Sequence, residues 1–379
     1  MPPSASTDTW TLLSTLCALP TAPLLEQAPA TFILRWLQQL GLPTRTDRYG
    51  NIICSIDGTS DTTPIAFVVH LDHPAFAVIS QGDKTITTVI RGGLAPTIIL
   101  PATSVRLYDR EYHYTPAYIL QEIAQGTQRL VTLQPQATND NHKWLFATLD
   151  LPEPYIYQGH AFLPAADDLA QASALLLLAE RLVKHQPKHS TTFLFTRAEE
   201  IGLVGAYLTA RTRTLPLTTC VVSLECSRAL PGAELGKGPV IRVGDAGQSF
   251  SPASEALLMQ ARDLLQKQHP NAMVQRQLMS GGFCEASAFL SQGYTAGGLA
   301  LPLEGYHNCG PEGTLTSERI ALSDLECEID LCEQLVHSRD DAPSARFSRL
   351  ATRASEFEDA LVQSAATFSL DSSHEQSTP

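Results

Sequence analysis

Pro64-Ile65-Ala66-Phe67-Val68-Val69 runs directly into His70-Leu71-Asp72, and this stretch decides the fold class. An almost unbroken apolar run of this length is typical of a strand that helices cover on both faces. The run ends at an imidazole, and a carboxylate follows two residues later. Because open α/β sheets bind ligands at the carboxyl ends of their strands, His70 and Asp72 are candidates for a functional site.

Strand-like runs alternate with helical patterns along most of the chain. Strands are predicted at 191–196, 220–224, 240–243, 273–278 and 296–301, and helices at 168–184, 201–210, 252–268, 284–291 and 323–336. Residues 8–41 also carry apolar side chains at helical spacing, which predicts a helix there. This alternation predicts an α/β fold with a mainly parallel central sheet flanked by helices.

Between about residues 74 and 162 the pattern changes to short β-rich runs separated by turn residues. These runs lie at 84–90, 96–100, 103–108, 115–120, 129–133 and 143–149. We therefore expect a small all-β domain, residues 74–162, inserted into a catalytic domain formed by residues 1–73 and 163–337. Residues 338–379 would add a helix at 345–367 and a disordered polar tail.

Composition excludes several classes of protein. A formal net charge of −13 over 379 residues argues against nucleic acid and against anionic membranes as partners. No window approaches the roughly 18 apolar residues of a membrane span, and the N-terminus lacks a secretion signal. The eight cysteines form no Cys-x-x-Cys pair, so we expect reduced thiols and a cytoplasmic protein. Cys226 and Cys309 lie near candidate ligands, but imidazole and carboxylate groups already suffice for a metal.

Four further segments place carboxylates or an imidazole beside a strand end or a helix start. They are Asp167-Asp168, Glu199-Glu200, Glu225 and His307. Each has a structural alternative, such as a helix cap for an aspartate or a solvated helix start for the glutamate pair. Burying paired carboxylates without cations would cost several kcal/mol, however, so the set as a whole predicts a site for two divalent ions. His73 and His160 have weaker contexts and are predicted to be structural.

One glutamate of the Glu199-Glu200 pair and the Asp72 carboxylate are expected to have roles other than binding metal. One glutamate of Glu199-Glu200 would ligate metal while the other moves a proton between water and the leaving amine. Asp72 would accept the second ring N–H of His70 and so orient the imidazole.

The order of the segments resembles that of co-catalytic metallo-aminopeptidases. There are 94 residues between Asp72 and Asp167 but only 81 between Glu225 and His307. The long first gap narrows the resemblance to the glutamyl-aminopeptidase/tetrahedral aminopeptidase family. In that family a β domain separates the first histidine from the bridging aspartate. The stretches 47–51 and 281–286 also resemble its Asp-x-x-Gly-Asn and Gly-Gly-Thr-Asp-Ala segments. The resemblance implies a zinc-peptidase-like fold.

The resemblance also implies roles for individual residues. One ion would be held by His70, Asp167 and Glu225, and the other by Asp167, Glu200 and His307, with Glu199 as the catalytic base. The family motif Asp-Asp-Arg-x-Gly is Asp167-Asp168-Leu169-Ala170-Gln171 here, so Asp168 remains an alternative bridging ligand. Glu225 stands where the family more often has aspartate. Glu285 could bind the free amine of the substrate or could serve only at a helix N-terminus.

The leading hypothesis is a cytoplasmic two-metal aminopeptidase that acts on peptides. Zinc is the expected metal, although cobalt and manganese also suit these ligands. The resemblance further implies a homo-oligomer, either a dimer or a larger shell. The alternatives are an N-acyl amino acid deacylase or carboxypeptidase on the same core, and a metal-free binding or scaffold protein.

Overall fold

The computed structural model describes residues 8–137, 143–338 and 348–365. Its strands, numbered in chain order, are β1 (Thr44–Thr46), β2 (Ile52–Ile56), β3 (Ile65–His70), β4 (Ala75–Gln81), β5 (Ile86–Arg91), β6 (Ser104–Asp109), β7 (Tyr114–Gln125), β8 (Gln128–Pro135), β9 (Trp144–Leu149), β10 (Tyr155–Tyr157), β11 (His160–Leu163), β12 (Thr191–Thr196), β13 (Cys220–Arg228), β14 (Val240–Arg242), β15 (Gln275–Gln277), β16 (Thr295–Leu303) and β17 (Glu318–Ala321). The helices are α1 (Thr9–Cys17), α2 (Gln27–Gln39), α3 (Leu169–Lys184), α4 (Val204–Arg211), α5 (Pro252–Gln268), α6 (Glu285–Leu290), α7 (Leu322–His337) and α8 (Ser348–Ala365).

The central sheet has eight strands in the order β1-β2-β12-β3-β13-β16-β14-β15. The four strands β12, β3, β13 and β16 are mutually parallel, while β2 and β14 pair with them in the antiparallel sense. Thr196 of β12 lies directly beside His70 of β3, and the register between β3 and β13 places Glu225 at the same level. The predicted α/β class is confirmed, and one edge of the parallel strands carries the candidate residues.

Helices cover both faces of the β3 strand, which accounts for its unbroken apolar sequence. Ala66 and Val68 belong to an apolar cluster with Ala206 of α4 and Phe289 of α6. Phe67 alternates to the opposite face and stacks on a phenylalanine of β12, and helix α3 contacts the strands β3, β12 and β13. Every residue of β3 is buried.

Strands β4, β5, β8, β7, β6 and β9 close into a barrel with its own apolar core. The predicted strand at 96–100 is wrong, because Pro96–Ile98 forms a 3-10 turn beside the barrel. Pro96 lacks the N–H that a sheet ladder requires. Strands β10 and β11 pair with β17 in a separate three-stranded sheet. The borders of the inserted domain, 74 and 162, remain a prediction.

The structure divides the predicted N-terminal helix into two and contains a helix where one was predicted near the C-terminus. The single helix predicted at 8–41 is wrong, since α1 and α2 are separated by a segment that contains Pro20 and Pro23. The described residues up to 338 form one compact unit, and α8, within the helix predicted at 345–367, belongs to a second. The predicted disordered tail lies outside the described residues.

None of the described helices has the length and apolarity that crossing a membrane requires.

Candidate metal centre

The carboxyl edge of the four parallel strands brings the predicted site residues together around His70. The Nε2 atom of His70 lies 3.3 Å from an Asp167 carboxylate oxygen and 3.8 Å from Oε1 of Glu225. Glu199 Oε2 is 3.9 Å from the same nitrogen. His70 is completely buried and the Glu199 side chain is 11% exposed, so these groups face one another largely shielded from bulk water.

A second group forms around His307. Its Nε2 atom lies 3.1 Å from Oε1 of Glu200 and 3.6 Å from Oδ2 of Asp167. Asp167 presents its other oxygen, Oδ1, to His70. One carboxylate therefore stands between two imidazoles with an oxygen directed at each, which is the arrangement that a bridging ligand needs.

Several of the facing atoms have no hydrogen-bond partner within the described structure. They are His70 Nε2, Asp167 Oδ1, Glu200 Oε1, Glu225 Oε2 and His307 Nε2. Buried polar atoms are rarely left unsatisfied in proteins. Each is an imidazole nitrogen or a carboxylate oxygen, so the donor set fits divalent ions such as Zn²⁺.

Among the described residues, three groups of side chains could each hold a metal ion. Within each group, the potential ligand atoms all lie within 4.8 Å of one another. The groups comprise His70 with Asp167 and Asp168, His70 with Glu199 and Glu200, and Asp167 with Glu200 and His307. Glu225 belongs to none of them despite its 3.8 Å approach to His70, and no cysteine belongs to any. The Cys226 thiol instead donates to the carbonyl of Ala166.

Asp168 uses both carboxylate oxygens to hold the backbone. Its Oδ2 accepts the N–H of His70 at 3.3 Å, and its Oδ1 accepts the N–H of Cys226 at 3.0 Å. The peptide bond from Asp167 to Asp168 is cis. Asp168 thus ties β3 to β13, whereas the Asp167 side chain faces the two histidines.

Asp72 holds the glutamate pair rather than the ring of His70. The ring nitrogen Nδ1 lies 3.1 Å from the main-chain carbonyl oxygen of Asp72 and 3.7 Å from the carboxylate. The carboxylate accepts the N–H groups of Glu199 and Glu200 at 2.9 and 3.0 Å. Asp72 therefore fixes the backbone from which both glutamates project.

Glu318 was not predicted, yet it holds two of the candidate ligands in place. Its two oxygens accept the N–H of Asp167 at 2.9 Å and the N–H of His307 at 2.8 Å. Burial raises the pKa of this fully enclosed carboxyl to about 7. His73, predicted to be structural, contacts the Asp167 carbonyl through Nδ1 at 2.5 Å and Asn308 through Nε2.

Glu26 is a second buried carboxylate that sequence reasoning missed. It accepts the N–H of Ala198 at 3.1 Å and pairs with Nε of Arg197 at 2.7 Å. Ala198 has a positive φ of 58°, a conformation that residues with a side chain rarely adopt. Glu26 thereby stabilises the turn that leads from β12 into the Glu199-Glu200 pair.

The orientation of the His307 ring depends on its backbone conformation and on a contact with Gly93, which follows the barrel strand β5. His307 and Asn308 both have left-handed φ angles, 53° and 60°. The ring nitrogen Nδ1 lies 3.1 Å from the carbonyl oxygen of Gly93, just beyond β5. This contact leaves Nε2 free to face Glu200 and Asp167.

The electrostatics of the site show too much negative charge for the available cations. Burial raises the pKa of Asp72 to about 7 and the pKa of Glu285 to about 8, and it also raises the pKa of Glu199 and Glu225. Burial alone would lower the pKa of His307, but Glu200 and Asp167 raise it to about 9. Protons or metal ions must therefore neutralise the cluster.

Glu285 is enclosed in the protein rather than exposed in an open cleft. Its side chain is completely buried and accepts a hydrogen bond from the Thr196 hydroxyl. It is the first residue of α6 and is absent from the lining of the cavity beside Glu225. Its binding of a substrate amine remains a sequence prediction.

Comparison with known proteins identifies relatives of this fold. The family model of the M42 glutamyl aminopeptidases matches residues 152–331. A search of curated proteins finds no match. The Pyrococcus horikoshii TET1 peptidase, 20% identical, covers 88% of this chain and 100% of its own with a TM-score of 0.73. An aminopeptidase from Desulfurococcus kamchatkensis, 18% identical, covers 88% and 96% with a TM-score of 0.74. These two structural likenesses show the fold alone.

Gly93→Ala should weaken divalent-ion binding. A Cβ at Gly93 would lie 2.8 Å from Nδ1 of His307, so the ring must shift from the position in which Nε2 faces Glu200 and Asp167. Loss of such an outer contact typically costs about 10- to 100-fold in metal affinity. Competition with a chromogenic chelator measures the change. Gly82→Ala is the control, because its Cβ would meet only ordinary contacts, the nearest at 3.4 Å. Equal affinity in the two variants would contradict the role of Gly93.

Chelator-treated protein should be less stable at pH 8.5 than at pH 5.5. Folding raises the pKa of Asp72 to about 7, of Glu285 to about 8 and of His307 to about 9. The folded chain therefore holds protons that the unfolded chain has released, and stability is lost as the pH rises through these values. Urea midpoints at the two pH values measure the effect. Added Zn²⁺ should raise the midpoint more at pH 8.5, since ions replace protons; a higher midpoint at pH 8.5 without metal contradicts the prediction.

Proposed function

We propose that this chain, whose residues 152–331 match the family model of the M42 glutamyl aminopeptidases, is a peptide hydrolase that removes N-terminal residues from peptides by means of two divalent ions and one proton-transferring glutamate. The observation that carries the proposal is the set of buried imidazole and carboxylate atoms that face one another without hydrogen-bond partners. A metal-free binding protein would have no reason to keep such atoms, because each costs free energy when it is left unsatisfied.

We assign the ions to two overlapping sets of ligands. His70, Asp167 and Glu225 would hold one ion, and Asp167, Glu200 and His307 the other. The separate oxygens that Asp167 turns to His70 and His307 support Asp167 as the bridge, and the backbone contacts of Asp168 argue against Asp168. Glu225 would complete the first set, because its buried Oε2 has no hydrogen-bond partner in the described structure.

Zinc fits these nitrogen and oxygen ligands, as do cobalt and manganese. Divalent ions bound in such a pair acidify water and polarise the carbonyl of the scissile peptide bond. Glu199 is the group of this chain that would take up the released proton and deliver it to the leaving amine. Its carboxylate is 11% exposed and its pKa is raised by burial, both of which suit a proton carrier at an enclosed site.

Asp72 supports this reaction as a positioning residue. It fixes the N–H groups of Glu199 and Glu200, so one carboxylate sets the ligand and the proton carrier together. Any displacement of Asp72 would move both glutamates relative to His70.

We also propose that the chain forms a homo-oligomer with peptides as substrates. The TET1 peptidase of Pyrococcus horikoshii assembles into a tetrahedron or a large octahedral shell. Large apolar side chains on the outside of the barrel are exposed here, among them Ile79, Tyr118 and Ile123, which supports contacts between copies. Sedimentation velocity tests this: a species of several chains is expected, and a monomer at micromolar concentration would rule it out.

The proposed activity is tested by comparing peptides with free and acylated N-termini. Protein reconstituted with Zn²⁺, Co²⁺ or Mn²⁺ should release the first residue from free-amine substrates and leave N-acetylated ones intact. Faster cleavage of N-acyl amino acids would favour a deacylase instead. Hydrolysis from the C-terminus would favour a carboxypeptidase.

Within the same assay, Glu199→Gln should keep both ions and lose at least about 100-fold in kcat, the usual contribution of a positioned proton carrier. Metal content by elemental analysis is the control. Full turnover by this variant, or loss of metal in parallel with activity, contradicts the role given to Glu199.

A further inference from the structure

Among the described α-helices, α8 (Ser348–Ala365) alone buries none of its described side chains. The helices α1 to α7 each bury part of one face. Residues 350–365 are all exposed, and Leu350, Phe357 and Leu361 expose 67%, 46% and 66% of their surface. Most helical stability in proteins comes from packing an apolar face rather than from propensity. A helix with such an uncovered face therefore calls for a partner.

The face of α8 that carries these apolar side chains has the spacing of a coiled coil. Five positions follow one another at steps of four, three, four and three residues, and we call them the α8 stripe. They are Leu350, Ala354, Phe357, Leu361 and Ser364. This alternation is the a/d pattern by which one helix packs along another in a left-handed coiled coil. In the sequence, Phe347 and Phe368 continue the alternation beyond the described part of the chain.

The charges beside the stripe favour a second copy of α8 as the partner. Arg353 precedes Ala354 and Glu358 follows Phe357, so these charges occupy g and e positions five residues apart. In a parallel coiled coil such positions of the two helices lie side by side, and opposite charges there set partner choice and orientation. Within its own helix Arg353 contacts Glu356 at 2.8 Å, but both side chains are more than half exposed and such pairs contribute little.

The composition of α8 disfavours an anionic membrane as the partner. Helices that lie on membrane surfaces are rich in lysine and arginine on their polar face. Residues 348–365 contain two arginines, no lysine and three acids, which leaves one net negative charge. A surface with both signs of charge instead suits pairing between like helices.

We propose that α8 is a self-association site, at which its stripe packs against the stripe of α8 in a second copy of the chain, parallel and in register. Each stripe residue then meets its own counterpart, and Arg353 of each copy meets Glu358 of the other. This contact lies outside residues 152–331, which match the family model, and it is separate from the barrel surface considered for the homo-oligomer.

Disulfide trapping in the full-length chain tests the arrangement. Ser364→Cys places a thiol in the stripe, and Gln363→Cys places one at the adjacent position outside it. After mild oxidation, Ser364→Cys should give at least about fivefold more covalent dimer on a non-reducing gel, because a disulfide needs Cα atoms about 4.4–6.8 Å apart. The wild type, with its eight cysteines, gives the background. Equal trapping in the two variants, or none above wild type, overturns the proposal.

Glutamate substitutions in the Ser364→Cys chain separate the stripe from general exposure. Leu361 and Val362 are adjacent and expose 66% and 67% of their surface, but only Leu361 belongs to the stripe. Leu361→Glu should reduce trapping at least about fivefold, because it places a charge in an apolar contact. Val362→Glu should change trapping by less than about twofold. Equal losses in the two variants overturn the proposal. The compact unit up to residue 338 does not include α8 and should fold in every variant.

Charge exchange in the same chain tests the parallel orientation. Arg353→Glu or Glu358→Arg alone should lower trapping about two- to fivefold, the effect of an exposed ion pair, and the two changes together should restore it. A combined variant that traps no better than the single variants overturns the parallel pairing.

Sedimentation velocity distinguishes this contact from the proposed homo-oligomer. A species of several chains that persists in Leu361→Glu, together with loss of trapping, shows that α8 adds a contact to an assembly held elsewhere and supports the proposal. A species of several chains without trapping in Ser364→Cys overturns the α8 contact and leaves the homo-oligomer standing.

Discussion

The accumulation of carboxylates at one sheet edge is the constraint on which the rest of the site depends. The group consists of Asp72, Asp167, Asp168, Glu199, Glu200, Glu225, Glu285 and Glu318, none more than 11% exposed. Each uncompensated buried charge costs several kcal/mol. The histidines and Arg242 cannot neutralise eight acids, so protons or bound cations must supply the difference. A fold that keeps these residues together is therefore stable only when protons or bound cations neutralise the carboxylates.

Three of these eight carboxylates hold the backbone in place rather than face the candidate ion sites. Asp72, Asp168 and Glu318 each accept two main-chain N–H groups. In every case those N–H groups belong to candidate ligands, to the proposed proton carrier or to an immediate neighbour of a candidate ligand. Ionised acceptors make stronger hydrogen bonds than neutral ones, so the same negative charge that demands cations also fixes the loops that would hold them.

The candidate ligand positions could be predicted from the sequence, whereas Glu318 and Glu26, which hold the neighbouring backbone, could not. His70 and Glu225 follow apolar runs, and parallel strands align their carboxyl ends, so local pattern and a general rule suffice. Glu318 and Glu26 carry no such signal, because their partners lie 151 and 172 residues away. Local pattern also failed where proline interrupts it. Residues 8–41 kept helical spacing across Pro20 and Pro23, and 96–100 kept a β-like composition around a 3-10 turn.

Glu225 lies between the candidate ion site and the cavity that Arg242 lines. It lies at the level of His70 across two parallel strands, and it lines the cavity as well. An aspartate at this position, one methylene shorter, would keep its carboxylate closer to β13. The longer side chain instead reaches toward His70 with Oε1 and leaves Oε2 without a partner. Arg242 also favours the ionised form of Glu225, whose pKa burial raises. The glutamate at this position thus places one carboxylate where it faces His70 and also lines the neighbouring cavity.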